Sequence, residues 1–317
     1  MTTSATPVAV PDPDAAPRAD RTGDRGGRRG RNRTRVGGQA GRAGWLVNLV
    51  VAALCVLWLI PTIGLLVTSF RDPSAANDSG WWTALANPLS LTIDNYREVL
   101  VSGQTPMLNS FLNSLVVAVP ATIIPILIAA FAAYAFTFMQ FPGRDLFFIL
   151  LVALLVVPNQ VAFVPLFQLF GQLGINGQFI AVWLAHAGFG MPLAVYILRN
   201  YMSTLPMAVI ESAKIDGASH FTTFWRLIIP MSYPALASFA IFQFLWVWND
   251  LFVALIFLGQ GDNMVMTVNL AGMLGSQGQG WNLLTAGAFL TMVMPLLVFL
   301  SMQRFFIRGM TSGAVKG

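Results

Sequence analysis

Charge is scarce in this chain. Of 317 residues, 10% are Asp, Glu, Lys or Arg, whereas 56% are hydrophobic. A soluble domain is about one-quarter charged, so that class is excluded and a membrane protein is implied. Cysteine is almost absent: Cys55 stands alone, which excludes a disulfide framework and a thiolate metal site. Two histidines, His186 and His220, are too few for a metal cluster, and no metal site is expected. The two lysines, Lys214 and Lys316, lie outside any Gly-Lys-Ser/Thr setting, so a phosphate-binding loop is missing. Neither a nucleophile motif nor a paired carboxylate dyad occurs. The chain is therefore expected to perform no bond chemistry, to be no enzyme and to bind no cofactor itself.

What the chain has in abundance is long apolar runs. Six are long enough to cross roughly 30 Å of hydrocarbon: Trp45 to Phe70, Ser114 to Phe138, Leu146 to Phe170, Phe179 to Leu198, Ala235 to Leu258 and Leu283 to Met302. They are continuous rather than alternating, so an all-α membrane protein with six transmembrane helices is predicted, not a barrel. The first run has 26 uncharged residues, too many for a signal-peptide core of roughly 7–15, so it is expected to stay as a helix. With the amino terminus inside, sixteen Lys and Arg fall on the cytoplasmic side and only Arg71 and Arg97 outside. The positive-inside rule then places both termini and the segment around residues 203–232 in the cytoplasm. Residues 1–44, rich in Pro, Asp, Arg and Gly, read as a disordered basic cytoplasmic tail, residues 45–310 as the membrane domain and 311–317 as a short tail. The tail's arginines suit retention inside and contact with anionic lipid rather than nucleic acid.

Polar groups inside apolar spans are costly unless they face a cavity or the bundle interior. Gln243, Trp246 and Asp250 fall at i, i+3 and i+7 of the fifth span, on one stripe with Asn249 adjoining. Asn159 and Gln160 lie between Pro158 and Pro165 in the third, where missing backbone donors would open the helix. These six residues are the candidate solute pathway. Asn109, Asn113 and Ser114 start the second span, and Asn269, Gln277, Gln279, Trp281 and Asn282 populate the last outer loop. Amides and indoles suit neutral polyhydroxylated solutes better than ions, because hydroxyls need directional partners and an apolar face to stack on. Two readings are open for Asp250, solute contact or structural pairing, and for Trp81, Trp82 and Trp281, stacking or interfacial anchoring.

One polar segment between apolar spans has the marks of two short helices. Pro206 sits near the start of the first, Asp216-Gly217 closes it, Ser219 can cap the second and Pro230 is expected to end it. Its pattern is Glu211-Ser212-Ala213, three residues, Gly217, nine residues, then Leu227-Ile228-Ile229-Pro230. This resembles the signature cytoplasmic loop of the permease subunits of binding-protein-dependent ABC importers, with Ser212 where the family has its first alanine. From about Trp45 onward the chain is similar to the second permease subunit of carbohydrate importers of the maltose and α-glucoside type. Asn113-Ser114, Phe141-Pro142-Gly143-Arg144, Trp246-Val247-Trp248-Asn249-Asp250, Gln303-Arg304-Phe305-Phe306-Ile307-Arg308-Gly309 and Gly313-Ala314-Val315-Lys316-Gly317 carry that resemblance.

The resemblance implies a MetI-like permease fold with cytoplasmic coupling helices in a bacterial plasma membrane. Its implied partners are a second permease, two ATPase subunits holding ATP and Mg, and an extracytoplasmic sugar-binding protein. Glu211, Ser212, Ala213, Asp216, Gly217, Leu227 and Pro230 would form the ATPase-docking surface. Two other classes compete: a secondary transporter driven by an ion gradient, which would favour buried carboxylates and repeated halves, and a membrane scaffold that transports nothing.

Overall fold

The computed structural model describes residues 40–86, 88–102, 106–273 and 280–311. The Arg-rich tail, Gln277, Gln279 and the final Gly313 to Gly317 stretch lie outside the described residues, as do the side chains from Arg304 onward. The helices are α1 (Ala40–Ser69), α2 (Pro73–Asp78), α3 (Asp94–Arg97), α4 (Met107–Phe138), α5 (Arg144–Ala153), α6 (Phe163–Gln172), α7 (Phe179–Met202), α8 (Met207–Ile215), α9 (His220–Thr223), α10 (Ile229–Trp248), α11 (Phe252–Phe257), α12 (Met266–Gly272) and α13 (Trp281–Thr311). Among the described residues the only strand-like pairing is one isolated bridge between Arg71 and Leu91. Contacts divide the chain into residues 1–56 and 57–317. The described part of the first unit is the amino-terminal part of α1, with Trp45, Leu49 and Leu54 exposed as on a lipid-facing helix. All contacts described below lie within the second unit.

Among the described residues five helical stretches are long and apolar enough to span a membrane, and a sixth span results if one bent pair is counted as a unit. That pair corrects the third expected span. Residues 144–156 and 159–172 meet at 97°, broken at Val157-Pro158, so Leu146 to Phe170 is no straight helix. Pro158 causes the break by disfavouring helical geometry at Val157, whose ψ is extended at 122°. Pro165 opens nothing: it sits in the first turn of α6, where its missing N–H would have had no helical acceptor. The second span starts earlier than expected, at Met107, so Asn109 and Asn113 lie within the helix.

The fifth span is displaced as well. Pro230 does not end the second short helix. From His220 the chain runs as one 29-residue span to Trp248, through a widened i→i+5 turn at Phe224–Ile228. This turn absorbs the donor that Pro230 lacks. The helix then stops at Asn249, and α11 begins after a break.

α4 and α7 form the centre. Their shared cores contain Ala118, Ala121, Ala129, Ala130 and Ala133 with Ala181, Ala185 and Ala194, all buried. Small side chains let helix backbones approach where lipid offers no hydrophobic drive. Around this pair the interior prolines set a second requirement. A proline at i removes the donor that would serve the carbonyl at i−4, and a carbonyl bare in hydrocarbon is costly. Pro120 frees the Val116 carbonyl, and Trp183 of α7 donates to it at 2.9 Å. Pro125 frees that of Ala121, which accepts from Gln243 Nε2 of α10 at 3.2 Å. Pro295 frees that of Thr291, and Trp248 Nε1 donates to it at 3.0 Å. Gly190 makes room for one of these donors, since a Cβ there would stand 2.8 Å from the Gln243 amide.

The end of the bundle between α1 and α4 is held by buried polar side chains. Asn95 donates to the carbonyls of Ser69 (2.9 Å) and Arg71 (2.8 Å) and accepts from Asn282 (2.7 Å). Arg71, 2% exposed, donates to the Ser79 carbonyl and to the hydroxyls of Ser79 and Thr83.

Trp183→Phe is expected to destabilise the protein by about 1–3 kcal/mol, the cost of leaving the Val116 carbonyl without a donor in hydrocarbon. In a Pro120→Ala background, where the carbonyl regains its helical donor, the penalty should shrink to about 1 kcal/mol or less. Thermal unfolding of the four variants in one detergent checks this; equal penalties in both backgrounds would refute the pairing.

Candidate docking loop and solute pathway

The segment from Met207 to Pro230 is built from local backbone rules. α8 starts after Pro206 and closes with Asp216 as its C-cap. Gly217 has φ +76°, in the left-handed region, and its N–H donates to the Lys214 carbonyl at 3.0 Å. The next N–H, that of Ala218, donates to the Ala213 carbonyl at 2.9 Å. Both bonds of a Schellman cap are thus present, and glycine is the residue that adopts this conformation without strain. Ser219 caps α9, its hydroxyl accepting from the Thr222 N–H at 3.2 Å. Ser212 donates back to the Ala208 carbonyl at 2.8 Å, so a hydroxyl is accommodated in α8 without a tertiary partner.

Burial splits this segment into an anchored face and a presented one. Ile210, Phe224 and Ile228 are buried in the core shared by α4 and α7. Phe224 stacks on Phe131 of α4 with centroids 4.4 Å apart and lies edge-on to Tyr134, while Trp225 also meets Phe131. His220 Nδ1 lies 2.9 Å from the Tyr134 hydroxyl, so this exposed histidine also ties the segment to α4. Glu211, Ser212, Asp216 and Gly217 are exposed and Ala213 is half-buried. Leu227 is half-buried and Pro230 exposed. Two apolar side chains that the motif did not single out stand most open: Ile215 is 86% exposed and Phe221 67%. Their unusual combination of apolar character and position, one on each side of Gly217, was the available signal.

The pathway candidates do not all come together. A cavity of about 340 Å³ lies between the bent pair, α7 and α10, and Asn159, Gln243 and Trp246 line it, with Pro158, Phe189 and Phe242 among the apolar wall. Gln160, Asn249 and Asp250 do not line it. Gln160 is exposed, and Asn249 donates to the Leu245 carbonyl at the end of α10. Asp250 leaves the expected stripe because the helix ends before it. Its Oδ2 accepts from the N–H groups of Val253 (2.8 Å) and Ala254 (3.2 Å), serving the otherwise unpaired start of α11. Gln243 is fully buried; its Nε2 is committed to Ala121, and its Oε1 has no protein partner.

The polar start of α4 is structural. Asn113 donates to the carbonyls of Asp262 and Met264, Ser114 accepts from the Met266 N–H, and Ser110 accepts from Asn269. Together they hold the loop after α11. Among the described residues no group of His, Cys, Asp and Glu could hold a metal ion.

Residues 105–312 match the family described as binding-protein-dependent transport system inner membrane component. The chain is 51% identical over 274 residues to the osmoprotective compounds uptake permease protein GgtD of Synechocystis, covering 85% of this chain and 91% of that one. It is 41% identical to the alpha-glucoside transport system permease protein AglG of Rhizobium meliloti, covering 86% and 97%. Its fold matches a chain of the crystal structure of a bacterial ABC transporter involved in the import of the acidic polysaccharide alginate. The TM-score there is 0.70 at 19% identity, covering 85% of this chain and 98% of that one. The chain therefore belongs to the family of binding-protein-dependent transport system inner membrane components, as a multi-pass permease subunit rather than an enzyme.

Tyr134→Phe and His220→Ala are each expected to loosen the docking segment. Combined, they should lose about 0.5–1.5 kcal/mol less than the sum of the singles, because both remove one shared bond. Additive losses in thermal unfolding would show that the two groups act independently.

Proposed function

We propose that this chain is one permease subunit of an ATP-driven importer, that its Met207–Pro230 segment docks an ATPase subunit, and that the imported solute is a carbohydrate of the α-glucoside or maltose-like class. The observation that carries the docking assignment is the two-faced segment around Gly217. A polar-and-apolar outer surface bearing Glu211, Ile215 and Phe221 is presented outward, while Phe224, Ile228 and Ile210 anchor it in the core. A solvated connector needs no such anchoring. Helix-in-groove recognition is the matching binding mode, with Glu211 free to meet a basic group and Ser212, Ala213, Asp216, Leu227 and Pro230 shaping the platform. ATP and Mg belong on the docked partner, since this chain has no phosphate-binding loop.

The sugar class rests on the named substrates of relatives such as the alpha-glucoside permease and on the cavity's amide-and-indole wall of Asn159, Gln243 and Trp246. A second permease, two ATPases and an extracytoplasmic sugar-binding protein complete the assembly, with both termini of this chain in the cytoplasm, where the lysine and arginine distribution puts them. Family membership leaves the ion-gradient carrier and the inert scaffold without a supporting observation.

Gentle extraction of tagged chain from its native membrane, followed by mass spectrometry, tests the assembly. A co-purifying P-loop ATPase and a second permease are expected; recovery of the chain alone, still driving uptake from an ion gradient, would overturn it. Glu211→Ala and Gly217→Pro should insert normally yet lower solute uptake at least about tenfold, a docking loss near 1.4 kcal/mol. Normal solute-stimulated ATP hydrolysis in both variants would sink the docking assignment.

A further inference from the structure

His186 is the buried group that neither the fold nor the pathway above accounts for. It lies in α7, 1% exposed, and neither ring nitrogen has a protein hydrogen-bond partner. An imidazole always offers two polar atoms, and leaving them bare in an apolar core is unfavourable. Two neighbours give the ring a direction. Its edge meets Trp246, a wall of the solute cavity, with centroids 5.4 Å apart at 86°. Its Nε2 lies 3.9 Å from Asp250 Oδ2. That oxygen is the one serving the Val253 and Ala254 N–H groups across the α10–α11 break.

We propose that His186 and Asp250 are a positioning pair that links Trp246 in the cavity wall to the break between α10 and α11, through one ordered water between the two side chains. The inference rests on the reading of the cavity as the solute pathway. A separation of 3.9 Å is too long for a direct hydrogen bond but suits a bridging water about 2.8 Å from each atom. A small cavity of about 10 Å³ lies there, lined by Ser114, His186 and Asp250 among apolar side chains such as Val117 and Val265, and roughly that volume holds a water when two or more polar partners reach it. The bridge gives the ring a partner and gives Asp250 a lateral tether. A solute that moves the Trp246 indole moves the His186 edge, and the tether passes this to the carboxylate that fixes the start of α11. Solute occupancy then changes how firmly α11 is held, with no contact between solute and α11.

Hydrogen–deuterium exchange of the α11 amides, Phe252 to Phe257, in the full chain in lipid nanodiscs tests the link without any solute. His186→Phe keeps the edge contact and removes both nitrogens; it should speed α11 exchange about fivefold, the loss of one net hydrogen bond. His186→Asn, which can still bond the water, should recover part of that protection. Trp246→Ala should speed exchange in the wild-type background and have no further effect in His186→Phe. Equal effects of Trp246→Ala in both backgrounds, or no change at α11 in His186→Phe, would overturn the proposal. Uptake of radiolabelled maltose and trehalose, measured separately in the complete importer, tests the pathway reading: failure there with α11 coupling intact would reject the solute assignment and leave the pair standing.

Discussion

A carbonyl with no donor in a lipid-surrounded bundle is the constraint on which the arrangement of the spans depends. Each of Pro120, Pro125 and Pro295 would create one, and each time an indole or amide from a neighbouring helix supplies the donor. These bonds fix which helix lies beside which. Trp183 joins α7 to α4, Gln243 joins α10 to α4 and Trp248 joins α10 to α13. A proline that would merely weaken a helix in water thus becomes a specific lock between two helices in lipid. The same bonds restrict function, because a donor spent on a backbone carbonyl is withdrawn from solute. Gln243 keeps its oxygen and its second N–H for another role, and Trp183 and Trp248 are structural.

α4 collects most of these locks. Its start holds the loop after α11 through Ser110, Asn113 and Ser114, its middle accepts from α7 and α10, and its far end receives the aromatic face of the docking segment. Interlocked rings and small-residue contacts along one helix resist bending. A displacement applied at the Phe131–Phe224 stack would therefore be passed along α4 rather than dissipated at the loop.

The turn between α8 and α9 was legible in the sequence because its determinants are local. Gly217 in the left-handed region, the Ser219 cap and the Asp216 stop depend on neighbours within six positions. Apolar span length was legible for the same reason. What sequence pattern missed involves partners far apart in the chain or a change of helix direction. The Asn113 donor meets carbonyls 149 and 151 residues away, and Tyr134 meets His220 at a separation of 86. No periodicity encodes those. The stripe of Gln243, Trp246 and Asp250 was drawn on an unbroken helix; the break after Trp248 sends Asp250 to cap α11 and leaves two of the three at the cavity. At Pro230 and Pro165 the rule that proline ends helices overreached, since a first-turn position or a widened turn removes the conflict.

The position of that widened turn matters for how movement at the docking segment could reach the cavity. From His220 to Trp248 the chain is one 29-residue span, and at roughly 1.5 Å per residue it extends about 40 Å from the docking segment to the cavity wall. Phe242, Gln243 and Trp246 sit near its far end. A helix this continuous carries rotation and translation directly, whereas α8 is held to the bundle by Ile210 and by the turns at its two ends. The i→i+5 turn at Phe224–Ile228 relaxes the regular ladder just where the aromatic face grips α4, and Pro234 removes one more ladder donor soon after. Both interruptions lie in the half of the span nearer His220. From Ala235 to Trp248 no proline interrupts the helix, so a small tilt below Ala235 becomes a lateral shift of Trp246 against α7.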